Sequence, residues 1–221
     1  EIQAQEEMLR VGRLSAKIEF LPLANGRISI SSAQLFGTHA TLYKTDSLSA
    51  PNFQFVLDSL ASQDTTSNSS LNLRINSLII RHSSVTYDQR DIPQSPQRFN
   101  TKHLGLSDIS AHIILKELQS DSLNVNVKRL AFKEVSGLQV DRLSLRLEAN
   151  NREAQIKDFK LQLPQSEINF ETIRATYDSN HLKESLRYEA AVHAPSLVLT
   201  DLKCFLPELQ SFPQTFKLET S

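Results

Sequence analysis

The sequence has no tryptophan, one cysteine, one methionine and only 5 glycines in 221 residues. Each scarcity closes off a class of function. Phosphate-cradling loops need backbone without a Cβ, so a chain this poor in glycine is a poor host for one. The single cysteine, Cys204, excludes an intrachain disulfide framework and a cysteine-based zinc site. Lys and Arg number 24 against 25 Asp and Glu, with no basic run, so the electrostatic footprint of a nucleic-acid binder is missing. No segment approaches the roughly 20 apolar residues of a membrane span. The hydrophobic share of 39% lies below the usual range of about 45–50%. A thick, closed core is therefore not the obvious expectation.

Catalytic signals are equally sparse. The histidines, His39, His82, His103, His112, His181 and His193, fall in no H-x-x-x-H or H-E-x-x-H spacing and read as scattered surface residues. No serine sits in a G-x-S-x-G elbow. Carboxylates are dispersed, and without tryptophan there is no aromatic platform for a sugar. The Asn68-Ser-Ser70 triplet lies in a polar linker and is assigned no function. The reading is a non-enzyme, with no catalytic residue, metal or cofactor.

What is present is alternation. Leu14, Ala16, Ile18 and Phe20 recur at period two, as do Leu143, Leu145 and Leu147, and Leu161 and Leu163. Period two places each set on one face of a strand, with Ser, Asn, Gln, Lys, Arg and Glu facing water. A finer motif repeats, two apolar alternates, two polar residues, then two more apolar alternates. It appears as Ile28, Ile30, Ala33, Leu35 and as Leu73, Ile75, Leu78, Ile80. Further copies are Val125, Val127, Leu130, Phe132, then Leu138, Val140, Leu143, Leu145, then Ile168, Phe170, Ile173, Ala175, with a looser one at Val192, Ala194, Leu197, Leu199. Leu42 and Val85 extend the first two copies in phase. The polar pair breaks strict alternation, which a strand keeping its apolar face inward resolves with a bulge or corner. Irregular spacing of the copies argues against a strict solenoid.

Turns are expected at Leu23–Gly26, Asn150-Asn151 and Asp178–Asn180, with a polar linker over 62–70 and a longer loop over 88–102. Two segments switch to helical spacing. Phe53, Val56, Leu57 and Leu60 form one stripe over 51–61 behind Pro51, with Phe55 off the stripe. Leu202, Phe205, Leu206 and Leu209 form another, with Thr200 as a candidate cap, Pro207 breaking the helix and Cys204 pointing off the stripe. Cys204 is thus either packed on a second apolar surface or an exposed thiol. The organisation expected is a strand module over 1–62, a continuing sheet over 71–199, a proline-broken helix over 200–212 and the opening of another strand over 213–221.

Two short helices cannot cover so many apolar strand faces. Either the sheet closes as a sandwich or barrel, which patterning alone favours, or it curls into a half-pipe with an accessible apolar concave face.

Several blocks bear on that choice: Leu14–Gly37, Ala40–Tyr43, Ser49–Phe55, Leu71–Arg81, Asp121–Glu134 and Phe159–Pro164. In their order, with the helix and linker between them, they resemble the N-terminal module of AsmA-like proteins, most closely the TamB branch of Gram-negative bacteria. The resemblance implies an elongated taco-shaped sheet with an apolar interior, in the periplasm, anchored to the inner membrane by a helix preceding Glu1. It implies carriage of phospholipid towards the outer membrane, and partnership with an outer-membrane assembly protein of the Omp85 type. It transfers no catalytic motif. The mainly β half-pipe becomes the expected fold and the closed sandwich the alternative. Acyl chains would lie on Ile28, Ile30, Leu35 and Leu42, then Leu73, Ile75, Ile80 and Val85. They continue over Val125, Val127 and Phe132, over Leu143, Leu145 and Leu147, and over Leu161, Leu163, Ile168 and Phe170.

Overall fold

The alternating segments become strands of a single open, curved sheet. A computed structural model describes residues 7–20, 29–55, 74–95, 98–118, 122–177, 185–205 and 217–218. The strands are β1 (Leu9–Glu19), β2 (Ser29–Lys44), β3 (Arg74–Ile75), β4 (Ser77–Gln89), β5 (His103–Leu118) and β6 (Ser122–Glu134). They continue as β7 (Gln139–Asn150), β8 (Glu153–Gln162), β9 (Glu167–Thr176), β10 (Arg187–Val198) and β11 (Lys217–Leu218). All eleven form one sheet in the order β1-β2-β4-β5-β6-β7-β8-β9-β10-β11, with β3 beside β2.

No second sheet exists among the described residues, so the closed sandwich is overturned. A sandwich needs two sheets whose apolar faces cover each other. Here each long strand pairs edge to edge with its neighbours, and β1 and β11 occupy the two ends of the strand order. From β4 to β10 the sheet is an antiparallel meander of chain neighbours. The β2–β4 seam is different. It is parallel, running from Ala33 opposite Leu78 to Lys44 opposite Gln89.

The polar pairs inside the repeated motif coincide with breaks in the ladder. Register shifts lie between Lys17 and Ile18 opposite Ser31-Ser32, between Val127 and Leu130, between Ala190 and Val192, and between His193 and Ser196. Asn76 interrupts the strand between β3 and β4. A second set of bends uses the left-handed region. Gly37 has φ 61°, and the non-glycine residues His82, Asp108 and Asp158 have φ 49°, 53° and 52°. Each sits where alternation changes phase: Leu35 to Thr38, Ile80 to Ser83, Leu106 to Ile109, Ile156 to Phe159. One residue with positive φ turns the pleat so that both arms keep the same face inward. The two aspartates are pinned by cations on the neighbouring strand. Lys133 Nζ donates to Asp108 Oδ2 at 2.9 Å, and Arg146 donates to Asp158. The Lys133 hydrogen bond is the main reason the Asp108 carboxyl is held below its ordinary range.

The turns follow side-chain chemistry. Asn150 Oδ1 accepts from the backbone N–H of Arg152 at 2.8 Å and of Glu153 at 3.0 Å, closing the β7–β8 turn at the expected place. The helical segments are described only in part. Phe53 lies in a turn, residues 54–55 begin a helix, and Val56, Leu57 and Leu60 of the 51–61 stripe lie outside the described residues. Phe55, off the stripe, is 58% exposed. The second segment is a 3-10 helix, Leu199–Leu202, followed by a turn through 205, with the remainder outside the described residues. Its N-cap is Val198, without a side-chain cap bond, so Thr200 does not cap it. Thr200 Oγ1 instead accepts from Gln165 Nε2 at 3.3 Å. The Leu23–Gly26 and Asp178–Asn180 turns and the 62–70 linker lie outside the described residues.

A Cβ built on Gly37 would meet nothing within 4 Å, so substitution there costs backbone strain alone. Gly37→Ala should destabilise the fold by about 1–2 kcal/mol in urea titrations. An unchanged midpoint would show that the bend does not need glycine.

Candidate functional site

Registered pairs place side chains on a common face, and the pairing builds rows across the sheet. The longest row is Leu14–Leu35–Ile80–Ala111–Leu130–Leu143–Leu161–Ile168, apolar on every strand from β1 to β9 it crosses. At about 4.8 Å per strand it spans roughly 34 Å. Beside it runs Ala16–Ala33–Leu78–Ile113–Val127–Leu145. A third row, Leu115–Val125–Leu147–Ile156–Ile173–Ala190, lies nearer the opposite strand ends. Phe159 and Phe170 pair across β8 and β9 with ring centroids 5.1 Å apart, edge to face.

This is where the candidate residues sit. Ile30, Leu35, Leu42, Ile80, Val85, Val125, Val127, Phe132, Leu143, Leu145, Leu147, Leu161, Ile168 and Phe170 are half-buried, and Leu163 is buried. Ile75 is placed by its backbone pairing with Ile30. Ile28 and Leu73 lie outside the described residues. Half-burial suits a face flanked by neighbouring strands and lacking a second layer. Of the four alanines in the rows, Ala33 and Ala111 are buried, while Ala16 on β1 and Ala190 on β10 are exposed.

One end of the face is covered. Leu138, Val140, Leu163 and Cys204 form a buried cluster, with Phe99, Phe132, Leu143, Leu161 and Leu202 packed against it. Phe99 and Phe205 add a ring contact with centroids 4.9 Å apart, and Phe99 N–H donates to the Cys204 carbonyl at 2.9 Å. The turn after the 3-10 helix and the loop at Phe99 therefore cap the apolar face where Phe132, Leu143, Leu161 and Leu163 lie. Cys204 is buried, against the exposed-thiol alternative, and on the same side as Leu202. Helical geometry would separate the two; a 3-10 turn running into residues 203–205 brings both down. Burial is the main cause that pushes the thiol above its ordinary value.

Sequence reasoning missed three features of the face. All of β5 was absent from the candidates, although Leu104, Leu106, Ile109, Ala111, Ile113 and Leu115 carry the same broken alternation, with the break at Ser107-Asp108. Glu134 continues the face beyond Phe132, is 5% exposed, and pairs in register with Leu106. Its carboxylate accepts from the Ser136 N–H at 2.7 Å and from the Ser136 hydroxyl, closing the β6–β7 turn. Thr38 and Ser83 are buried polar residues at the Gly37 and His82 bends. Thr38 N–H donates to Ser83 Oγ at 3.1 Å, and Ser83 Oγ donates to the Arg81 carbonyl. The Thr38 hydroxyl is buried without a partner.

No group of three or more histidine, cysteine or carboxylate side chains that could hold a metal is present among the described residues. No helix among them is long and apolar enough to cross a membrane. Compared with family models, curated proteins and solved structures, the chain shows no match. The site is thus defined by its own geometry, a single open sheet crossed by registered apolar rows that are covered at one end.

Two measurements follow. Thr38→Val should leave stability unchanged or raise it by about 1 kcal/mol, because it removes an unpaired buried hydroxyl at constant shape. A loss above that in chemical denaturation would mean the hydroxyl is bonded. Cys204 should react with iodoacetamide at least about tenfold more slowly in the native protein than in urea. The unfolded thiol ionises near 9.0 while the native one keeps its proton to higher pH. Its contribution to stability is therefore complete below that value and is lost as pH rises beyond it. Equal reaction rates in the two states would contradict its burial.

Proposed function

We propose that this chain carries phospholipid along an apolar groove between two membranes, acyl chains on the sheet face and head groups towards water. The observation that carries the reading is the unbroken apolar row from Leu14 to Ile168 on a sheet with no second sheet among the described residues, capped over Leu143 and Leu161 at one end. Exposed contiguous apolar surface beyond a few hundred Å² marks a ligand or partner site. Each methylene moved from water onto it is worth about 0.8 kcal/mol. A lining of Leu, Ile, Val, Ala and Phe holds a flexible chain without trapping it at one point, which suits transfer more than storage.

We take the carrier to work in the periplasm, tethered to the inner membrane and reaching an outer-membrane assembly partner, as the AsmA-like resemblance implies. Chemistry on the lipid is not part of the proposal, and the chain acts as a non-enzyme. A second reading, a scaffold that accepts a client strand, rests on the unpaired edge of β1. Photocrosslinkers separate the two: the groove captures lipid at inward positions, the scaffold captures polypeptide along β1.

Val127→Asp and Leu145→Asp should each lower the transfer of a fluorescent phospholipid between vesicles by at least about tenfold, since a carboxylate among acyl chains costs several kcal/mol. Circular dichroism and solubility should stay as in the unaltered protein. Folded variants that transfer lipid normally would sink the groove.

A further inference from the structure

The rows begin at a strand of unusual charge. β1, β2 and β4 together carry five basic residues, Arg10, Arg13, Lys17, Lys44 and Arg81, against two acidic ones, Glu19 and Asp88. The whole chain has a net charge of −1, so positive charge is concentrated at this edge of the sheet. On β1 three cations stand in register with His39, Phe36 and Ser32 of β2. Arg10, Arg13 and Lys17 are exposed and make no ion pair among the described residues. Arg13 lies 5.6 Å from the Phe36 ring centroid, in register with Phe36, which in turn pairs with Arg81. The alternate residues begin the apolar face and are left bare by the edge position, with Leu9 49%, Leu14 62% and Ile18 46% exposed. β10, beside the two-residue β11 at the other end of the order, lacks this character, since the outward residues at its start are Arg187 and Glu189.

Resting on the groove reading, we infer that β1 is the head-group lip of the groove and that its ligand is an anionic, phosphate-bearing phospholipid. The phosphate lies against Arg10, Arg13 and Lys17, and the tails enter over Leu14, Ala16 and Ile18 onto the rows. Unpaired cations one residue away from exposed apolar side chains match an amphiphile with a charged head and an apolar tail. Guanidinium groups bind phosphate bidentately, and each exposed cation near a lipid phosphate adds a modest, salt-sensitive attraction. A neutral lipid of the same chains would gain only the apolar part.

The test uses the full chain and two lipids with identical tails, phosphatidylglycerol and diacylglycerol, offered as dilute fluorescent monomers. The unaltered protein should bind phosphatidylglycerol about tenfold more tightly than diacylglycerol at low salt, with the difference shrinking at 0.5 M salt. The triple variant Arg10→Gln, Arg13→Gln, Lys17→Gln should bind both lipids equally, with diacylglycerol affinity unchanged. The salt comparison needs no variant, so it decides the matter even where the triple variant fails to fold. Binding without head-group preference overturns the inference and leaves the groove standing. So does a triple variant that keeps its preference while associating with itself, because the charges then serve only to guard an open strand edge. Absence of binding to either lipid brings down the groove reading itself. Tight binding of glycerol phosphate, which has no tails, would also overturn the inference, since the site would then not need the apolar rows.

Discussion

A one-layer sheet has to keep every apolar side chain on the same face while its backbone bends. Side-chain direction in a strand has a period of two, so one residue gained or lost inverts everything beyond it. Curvature therefore cannot be introduced at arbitrary points. Here it enters at polar pairs and at residues with positive φ, where alternation changes phase and the inward face is recovered one residue later. The side chains released outward at these corners, His82, Asp108 and Asp158, are polar, and two of them are held by a neighbouring Lys or Arg. The bends, the rows and the covering of one end all depend on this phase rule.

The rule also explains why the sheet was more legible than its topology. Ser31-Ser32, Lys128-Arg129 and Glu171-Thr172 announce their corners because two polar residues between apolar pairs have no other use in a strand. The same signal at Ser107-Asp108 was present and passed over, and a whole central strand, β5, went with it. Partner choice leaves no such trace. Nothing in the alternation of β2 distinguishes a parallel neighbour from an antiparallel one, so the seam with β4 comes only from the structure. The side on which Cys204 packs was hidden for another reason. Its spacing from Leu202 was read with α-helical geometry, and the chain there is a 3-10 helix running into a turn.

The candidate face was partly legible in the same way. Residues at the ends of broken motifs fell on it because phase is local information. Its covered end was not, since Phe99 and Cys204 reach it from loops distant in sequence. The basic character of β1 was visible as residues but gained meaning only from edge position. Arg10, Arg13 and Lys17 inside a sheet would be a solvated face; along its open margin they border the apolar rows.

The parallel seam between β2 and β4 bears on how the chain acquires its shape. Strands from β4 to β10 join chain neighbours, so their ladders close over connections no longer than residues 90–102. β1 and β2 form a separate antiparallel pair. Uniting these pieces requires β2 to meet β3 and β4 across the intervening residues 45–73, and parallel ladders repay that closure less per residue than antiparallel ones. Folding is thus ordered by topology, with local hairpins early and the seam late. The late step is also the one that attaches the cationic strand, so the apolar rows reach the full span of eight strands only when the seam has closed.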